Sequence, residues 1–494
     1  MHNPLNDMPP SFYAVIVLAI GAIVWKTCKA LTNPLAHLPG PAISKWTNRR
    51  FQLAVMTGER TRYEHALHER YGPVVRISPY EVSLASSSAA KMIYQIGSPF
   101  LKTPWYNIAV GDESGLFTLL DSKAYARHRR LLAHNYSENW IKNMEPYIAA
   151  KTRTAVSKMA ATVDRKGYVN VNEWFWFMST DVISEAAFGE SFDLLKIGGK
   201  NKYIHDLEID GLRSILRAEF PFLGKIAAYM LLGNSEDVEQ GKMRMQSYTE
   251  GRLAAYWKAY EADPENVKPT LLTKAYAALQ DGSISHRSME ADARTNIVAG
   301  TDTTASTATF AVWYLSKHPE IEQALIGEVS ALPETFDDEQ LRTLPLLDKV
   351  IKETLRIRPS VGQGLPRAVP AGGATIEGHY IPEGTTVAIP AYTMHRLRSV
   401  WHDPEKFDPS RWDHVTKDMK DSFVPFGGGS RVCIGQHFSQ LELRHALANF
   451  YRTFNSGMVA PKAEGFGEDD MTPMSFFVTA LKGKRCLLQR RAKQ

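Results

Sequence analysis

Cys433 has the surroundings in this chain that most clearly favour chemistry. The 494 residues include only Cys28, Cys433 and Cys486, too few for a disulfide framework, which favours a reducing compartment. Cys433 follows a run of glycines and opens an amphipathic helical pattern, and we expect Ile434 and Gly435 in its first turn. Free amides at a helix amino terminus stabilise a thiolate. The sequence predicts a reactive or ligating thiolate at Cys433 and inert small hydrophobic residues at the other two cysteines.

A second polar group lies midway along an unusually long helical pattern. From about residue 286 to residue 318 there is no proline, Ser285 can cap the start and Pro319 ends the pattern. A helix of that length, on the order of 50 Å, must cross the core. Polar residues in such a helix are costly unless they are used. Taken alone, Asp302 and Thr303 could equally be ordinary solvated residues of this helix.

The elements that must position these residues are mostly helical, with a small β region. Residues 74–77 and 81–84 read as a hairpin around a Ser-Pro-Tyr turn. The segments HYI and TTVAI, joined by residues 381–384, read as a second hairpin with a type I turn. No repeat, low-complexity tract or Gly/Ser linker interrupts residues 45–494, so we expect one continuous unit. The net charge of +5 is spread along the chain without basic blocks, which makes nucleic acid an improbable partner.

The amino-terminal segment predicts a membrane anchor. Residues 11–25 form an uncharged apolar block that is followed by Lys26 and Lys29. The block is shorter than the roughly 20 residues of a comfortable span, and a cleaved signal peptide or a buried core helix are the alternatives. Lysines after the block place the bulk of the chain in the cytosol. We assign residues 1–32 to the anchor and the proline-rich residues 33–44 to a stiff hinge.

The surroundings of Cys433 carry a family resemblance. The pattern Phe426-x-x-Gly429-x-Arg431-x-Cys433-x-Gly435 resembles the signature of the cytochrome P-450 family. The resemblance implies a mainly α fold with a small β region, in which a long helix crosses over a bound haem b. It also implies that the cysteine is the axial thiolate ligand of the haem iron, with Phe426 and Gly435 beside the cofactor.

The long helix contains a second matching motif. The sequence from Ala299 to Thr304 is similar to the oxygen-activation motif of the same family. The resemblance implies that Gly300 lets the helix pass close to the haem, that Asp302 relays protons and that the Thr303 hydroxyl holds water. Midway along a helix, such a hydroxyl can open the backbone locally.

Basic residues are expected to bind the haem propionates. The resemblance assigns Arg431, Arg367 and Arg129 to this role. In the segment around Arg129 the family commonly has Trp four residues earlier, and this chain has Tyr125. A tyrosine hydroxyl can still donate to a propionate, so we include Tyr125 among the cofactor-binding residues.

Glu353 and Arg356 lie three residues apart on a helical pattern and therefore share one face. A lone Glu-x-x-Arg is weak evidence, because a surface ion pair usually explains it. The segment DPEKFDPSRW with Arg411 is similar to the second arginine segment of the family. The resemblance then implies a buried triad of Glu353, Arg356 and Arg411 that has a folding and haem-retention role rather than a catalytic one.

These features predict an endoplasmic-reticulum monooxygenase with a single-pass amino-terminal anchor and a cytosolic catalytic unit. No nicotinamide or flavin motif follows a strand, so electrons must come from a partner, which the resemblance implies is an NADPH-dependent reductase. The segments YGPVVRISPYEVS and PFGGGSRVCIGQ most resemble the filamentous-fungal branch of the family, which implies a tailoring step of secondary metabolism on a bulky, largely apolar organic substrate. Candidate reductase contacts are Lys123, Arg127, Arg130, Lys349, Lys352 and Arg444, and candidate pocket segments are Trp105, Tyr106, Phe117, 220–232, 361–365 and 474–477.

Two other functions stay open from the sequence. Some family members rearrange peroxides or dehydrate their substrates, although those tend to lose the acid and alcohol that are present here as Asp302 and Thr303. A non-catalytic haem protein is the other alternative. An electron carrier would normally have a second strong axial ligand, and residues 299–304 contain no His or Met.

Overall fold

A computed structural model describes residues 10–111, 114–220 and 235–492. Its helices are α1 Pro10–Leu31, α2 Arg49–Met56, α3 Arg60–Tyr71, α4 Ser87–Tyr94, α5 Trp105–Val110, α6 Ser122–Ala133, α7 Glu138–Ile141, α8 Glu145–Lys166, α9 Val171–Phe188, α10 Leu194–Ile197, α11 Lys202–Glu219, α12 Ser235–Ala262, α13 Thr273–Gln280, α14 His286–Lys317, α15 Pro319–Ser330, α16 Asp338–Leu341, α17 Pro345–Ile357, α18 Ala391–Met394, α19 Lys417–Ser422 and α20 Gln436–Thr453. The strands are β1 Val74–Ser78, β2 Glu81–Leu84, β3 Leu101–Lys102, β4 Val169–Asn170, β5 Arg367–Ala368, β6 Ala374–Ile376, β7 His379–Ile381, β8 Thr386–Ala388, β9 Met458–Val459, β10 Pro473–Ser475, β11 Thr479–Leu481 and β12 Leu487–Arg490. The mainly α fold with a small β region is therefore as predicted.

The long helix α14 organises the core. Ser285 caps its start by accepting a hydrogen bond from the Ser288 N–H at 3.1 Å, and Pro319 begins the next helix, as the sequence predicts. Its middle is buried on several sides, and it packs against α9, α17 and α20. The central hydrophobic cluster surrounds these contacts. The residues that the sequence assigns to chemistry therefore lie on a helix that the core holds rigidly.

The described part of the chain contains four small sheets, of which the largest is a mixed sheet of five strands. Its strand order is β1, β2, β8, β5 and β3, and β2 and β8 run parallel. The hairpin of β1 and β2 is confirmed, whereas the second predicted hairpin is wrong. Strand β7 pairs with β6, and β8 pairs with β2 and β5, because sheet pairing outweighs the local turn. That turn is closed by a Thr385 N–H bond to the Pro382 carbonyl, one residue later than predicted.

Helix α1 is long and apolar enough to cross a membrane, and it is the one such helix among the described residues. Its 22 residues correspond to about 33 Å, and Lys26 and Lys29 lie in its carboxyl-terminal part. Most of its side chains are exposed, including Val17 and Leu18. The hinge that follows is tied to β1, because Arg76 donates hydrogen bonds to the carbonyls of Leu35, Leu38 and Pro41. The hinge therefore belongs to the packed body of the protein.

Candidate functional site

The loop that carries Cys433 is closed by its own backbone. The Cys433 N–H donates to the Phe426 carbonyl at 2.9 Å. Gly429 has a φ of +60°, and a Cβ there would lie 1.6 Å from the Tyr94 carbonyl oxygen, so this position excludes any side chain. Helix α20 begins only at Gln436, with Gly435 as its cap. The expectation that Ile434 and Gly435 form its first turn is therefore corrected: both precede the helix, in the loop.

The Cys433 thiol lies in a concavity of the protein. The residue is accessible to solvent, yet protein surrounds it closely enough that loss of hydration raises its pKa. A Gly435 N–H that donates to the sulfur, and the positive charge of Arg129, both lower that pKa. A bound metal cation would add the positive charge that favours the thiolate over the thiol here.

Four cationic side chains gather beside this loop. We call Lys102, Arg129, Arg367 and Arg431 the cation cluster. Arg129 donates to the Val432 carbonyl at 2.8 Å, directly before the cysteine, and Arg431 donates to the Leu119 carbonyl at 2.8 Å. Within the described ranges, no carboxylate lies within 4.0 Å of the charged nitrogens of these four residues. Buried like charges without a counter-charge indicate a site for an anionic group.

Lys102 is the member of the cation cluster that the sequence analysis missed. It is only 9% exposed and its Nζ donates to the Phe117 carbonyl, 4.5 Å from the centre of the Tyr106 ring. Burial and then the charges of Arg431, Arg367 and Arg129 hold the pKa of Lys102 well below its usual range. Its location in the short strand β3, far along the chain from the cysteine loop, gave no local signal of this role.

Tyr125 has a different contact from the one expected. Its hydroxyl accepts a hydrogen bond from Arg129 at 2.8 Å and donates its single proton to the Ser430 carbonyl at 3.2 Å. The Arg431 guanidinium lies 3.6 Å from the centre of the Tyr125 ring. The residue therefore positions two arginines of the cation cluster instead of offering its own proton to an anion.

On the long helix, Asp302 and Thr303 each have a definite partner. The Asp302 carboxylate accepts a hydrogen bond from the Trp176 indole at 2.7 Å, and burial raises the pKa of Asp302. The Thr303 hydroxyl donates to the Ala299 carbonyl at 2.7 Å, which leaves its oxygen lone pairs for a donor such as water. The helix is continuous through these residues, so the expected local opening is not seen.

Gly300 lies at the contact between the long helix and its neighbour α9. A Cβ on this residue would lie 2.6 Å from Cγ1 of Ile183 on α9. Gly300 therefore lets α9 and α14 approach each other, and this close packing brings the Trp176 indole to Asp302.

The structure brings Glu353, Arg356 and Arg411 together in a buried triad. Arg356 donates to both carboxylate oxygens of Glu353, at 2.8 and 2.9 Å, and Arg411 donates at 2.9 Å. The Trp412 indole and the Asp408 N–H add two further donors to the same carboxylate. Arg356 also donates to carbonyls of the segment ahead of the cysteine loop, at His395, Pro404 and Lys406. Both arginines of the triad bind the same counter-charge, the Glu353 carboxylate, which is the arrangement of a structural element.

Aromatic side chains form one wall beside the cation cluster. Trp105 stacks on Phe477 with centroids 6.0 Å apart, and Phe117 meets Phe477 edge to face at 5.9 Å. Tyr106 in turn contacts Phe117 at 5.3 Å. Three of the predicted pocket segments therefore converge on one surface, whereas residues 221–232 of a fourth lie outside the described residues.

The candidate reductase contacts divide into two groups. Lys123, Arg127 and Arg130 are exposed on α6. Arg444 is not available, because it is 8% exposed and bound by two hydrogen bonds to Asp338. Lys349 and Lys352 are each paired with an aspartate and are only partly exposed. The predicted contact surface is therefore retained in α6 and corrected at Arg444.

These residues fit the haem that the resemblance implies. An accessible thiol stands next to four cations that have no anion, and two propionates would supply the missing negative charge. A Cβ on Gly435 would meet no protein atom within 4 Å, so the loop leaves room beside the cysteine. The donor set is a single soft thiolate with no cluster of other metal ligands in the described residues, which suits an iron that is already held by a porphyrin.

Comparison with known proteins gives the same assignment. A family model described as Cytochrome P450 matches residues 39–476. Cytochrome P450 monooxygenase tazI of Aspergillus terreus is 42% identical over 481 residues, which cover 97% of this chain and 98% of that protein. Cytochrome P450 monooxygenase orf2 of Aspergillus niger is 35% identical and covers 96% of each chain. Cytochrome P450 monooxygenase azaI, also of Aspergillus niger, is 32% identical over 85% of this chain and 94% of its own length.

Proposed function

The chain belongs to the cytochrome P450 family, and from that premise we propose that it is a membrane-anchored monooxygenase of fungal secondary metabolism. It inserts one oxygen atom of dioxygen into a bulky, mainly apolar organic molecule. The observation that carries the proposal is the accessible Cys433 thiol next to a cation cluster without an anion of its own. The names of the similar Aspergillus proteins, all monooxygenases, support the reaction class.

We assign haem b as the cofactor, with the Cys433 thiolate as its axial ligand. The cation cluster would bind its propionates, and Phe426 and Gly435 flank the loop beside it. When bound, this group supplies the redox chemistry by which dioxygen, a substrate C–H bond, two electrons and two protons become an alcohol and water. The Gly435 N–H bond to the sulfur withdraws electron density and so tunes the ligand.

Asp302 and Thr303 supply the protons. The Thr303 hydroxyl oxygen accepts from a water, since its own proton goes to the Ala299 carbonyl. Asp302 is the residue directly before Thr303 in α14 and exchanges protons with that water, because burial raises its pKa toward the working pH. Three hydroxyl groups, from Ser306, Thr307 and Ser360, donate to the Thr303 carbonyl and fix the position of its side chain.

The substrate site uses the aromatic wall of Trp105, Phe117 and Phe477. These rings are only partly buried, so an apolar ligand gains contact area by covering them. A terpenoid, an alkaloid or a polyketide fits this chemistry. The aromatic surface excludes water from the reacting bond and orients the substrate.

Electrons come from an NADPH-dependent reductase, and α6 offers its docking charges. Lys123, Arg127 and Arg130 are exposed there, on the helix that also carries Arg129 of the cation cluster. Helix α1 anchors the protein in the endoplasmic-reticulum membrane with the body on the cytosolic side, and we propose residues 1–32 as anchor, 33–44 as hinge and 45–494 as catalytic unit.

The first test is the absorption spectrum of the reduced protein with carbon monoxide. Wild type should give the red-shifted Soret band of a thiolate-ligated haem, and Cys433→Ala should lose it. Cys486→Ala and Cys28→Ala are matched controls that should keep the band, because neither residue lies in the cysteine loop. A thiolate band that persists in Cys433→Ala contradicts the assignment. Incubation with reductase, NADPH and candidate terpenoid, alkaloid and polyketide intermediates then identifies the product.

The same incubation separates the alternative functions. A peroxide-rearranging or dehydrating enzyme would convert its substrate without NADPH or dioxygen. A non-catalytic haem protein would give the thiolate band and no product. Thr303→Ala tests the proton role: it should keep the band but form more hydrogen peroxide per NADPH, because the water loses its acceptor.

A further inference from the structure

The contact between Trp176 and Asp302 links the proton-relay acid to the helix behind it. The indole Nε1 donates to Oδ1 of Asp302 at 2.7 Å, across the interface of α9 and α14. The bond joins residues 126 positions apart in the chain and depends on the close approach that Gly300 permits against Ile183. Because an indole nitrogen can only donate, it binds the carboxylate but cannot carry a proton onward.

A charged pair covers the outer face of the same indole. The Lys200 ammonium lies 4.8 Å from the centre of the Trp176 ring, within cation–π distance. Lys200 pairs with Glu208 on α11, and the two side chains are 44% and 46% exposed. The contacts therefore run from solvent through Lys200 and Glu208 to the indole, and from the indole to Asp302.

The described charged groups that act on Asp302 have opposing effects. Burial raises the pKa of Asp302, the Trp176 hydrogen bond lowers it, Glu208 raises it and Lys200 lowers it. Glu208 lies on α11 and Lys200 on the segment before it. The indole is the group that contacts the carboxylate directly, and the charged pair acts from behind it.

We propose that Trp176 is a positioning residue that fixes the orientation of the Asp302 carboxylate on the α9 side of the long helix and thereby controls when this acid gives up its proton. This inference rests on the proposed function, because it concerns the acid that delivers protons to the oxygen chemistry. A carboxylate held by the indole must release that bond before it can turn toward the Thr303 hydroxyl with a proton. The Lys200–Glu208 pair is the solvent-exposed end of this series of contacts and acts on Asp302 through the indole and by its charge.

The experiment is a carboxyl infrared titration of the ferric, haem-loaded full-length protein. The band of protonated Asp302 is assigned by its loss in Asp302→Asn. In Trp176→Phe, which keeps an aromatic ring but has no N–H, the titration of this band should move up by about one pH unit, because the anion loses its donor. Trp174→Phe is the matched control: Trp174 lies on the same helix and contacts Phe177, and its replacement should leave the titration unchanged.

A surface substitution tests the same contacts to Asp302 if Trp176→Phe does not retain haem. Lys200→Met removes the cation over the indole, and it should move the Asp302 titration upward by less than Trp176→Phe does. An Asp302 titration that stays unchanged in Lys200→Met and in any haem-loaded Trp176→Phe overturns the inference. A wild-type protein that lacks the thiolate carbon-monoxide band would instead contradict the proposed function, so the two failures are distinguishable.

Discussion

The buried triad and the cation cluster both bury arginines, but only the triad contains a carboxylate as their counter-charge. In the triad, one Glu353 carboxylate receives five hydrogen bonds, and two arginines surround it. In the cation cluster, four cations share their hydrogen bonds with carbonyls and tyrosine hydroxyls, and the described residues offer no carboxylate.

The difference separates a structural site from a ligand site. A buried charge that has its counter-charge in the same chain is complete when the chain folds, and it stabilises one arrangement of the backbone. A buried charge without one lowers stability until an external ion arrives. The low pKa of Lys102 is the direct sign of that penalty.

The largest effect is expected from breaking the triad. Glu353→Gln removes the carboxylate charge and leaves Arg356, which is fully buried, without a counter-charge. Loss of one partner from such a pair costs about 3–5 kcal/mol. We expect almost no haem-loaded protein, and a strongly lowered thermal midpoint in any that is recovered.

Asp348→Asn on the same helix is the control for this substitution. Asp348 is 52% exposed and its pair with Lys352 faces solvent. An exposed pair contributes at most about 1 kcal/mol. Equal losses of stability in the two variants would contradict the view that the triad is set apart by its burial.

A smaller effect is expected from removing one charge of the cation cluster. Lys102→Met should fold well, because it relieves repulsion from three arginines, yet it should release haem faster, by about tenfold or 1.4 kcal/mol, since one propionate partner is lost. Transfer of haem to an excess of apomyoglobin measures the rate. Lys91→Met, at an exposed lysine on α4, is the control and should not change it. Haem retention at the wild-type rate in Lys102→Met would remove Lys102 from the site.

The same lysine should make haem binding depend on pH. Without an anion, the pKa of Lys102 is held below its usual 10.5; bound carboxylates raise it again. Between these two pKa values, binding takes up a proton, so affinity should fall as pH rises through that window, by at most about tenfold per pH unit. The slope should disappear in Lys102→Met. A slope of equal size in both proteins would assign the proton to another group.

Much of the fold follows from local patterns, and the long helix is the best example. Its cap, its closing proline and the absence of internal proline predict the end points to within a residue of α14. The partner of β8 was not predictable, because a turn pattern identifies where the chain reverses but not which strand pairs in the sheet. Long-range pairing depends on the whole core.

The candidate site divides in the same way. Cys433, Thr303 and the Glu353 triad lie in short patterns that resemble a family, so the sequence identifies them. Lys102 and Trp176 lie in no such pattern, and their importance comes from contacts with residues more than one hundred positions away, as in the Trp176 bond to Asp302. Tyr125 is a third case: the sequence selects the residue, but its hydrogen bonds to Arg129 and to the Ser430 carbonyl become visible only in the fold.

A third group of buried charges contains an excess of acidic side chains, whereas the cation cluster contains only basic ones. Glu64, Glu81 and Glu219 surround the single guanidinium of Arg60, where β2, α3 and the end of α11 meet. The Nε atom of Arg60 lies 3.8 Å from Glu64, whose two oxygens have no hydrogen-bond partner within the described part of the chain. An excess of acid should be relieved by protons, just as an excess of base is relieved by an anion.

The smallest effect is therefore a pH dependence that Glu81 imposes on stability. Burial and the neighbouring glutamates raise the pKa of Glu81 to about 7, whereas its unfolded value is 4.5. The folded protein binds more protons between these values, so this contribution to stability is full below pH 4.5 and is lost as pH rises through 7.

The variant Glu81→Gln cannot ionise at this position. Its free energy of unfolding should therefore fall by about 1–2 kcal/mol less than that of wild type as pH rises, and its thermal midpoint at neutral pH should be higher. Glu468→Gln, at a side chain that is 74% exposed and pairs with Lys317, should leave the pH profile of the midpoint unchanged. A profile that is identical in wild type and Glu81→Gln would show that Arg60 already compensates the three acids, and the contrast with the cation cluster would then not extend to this group.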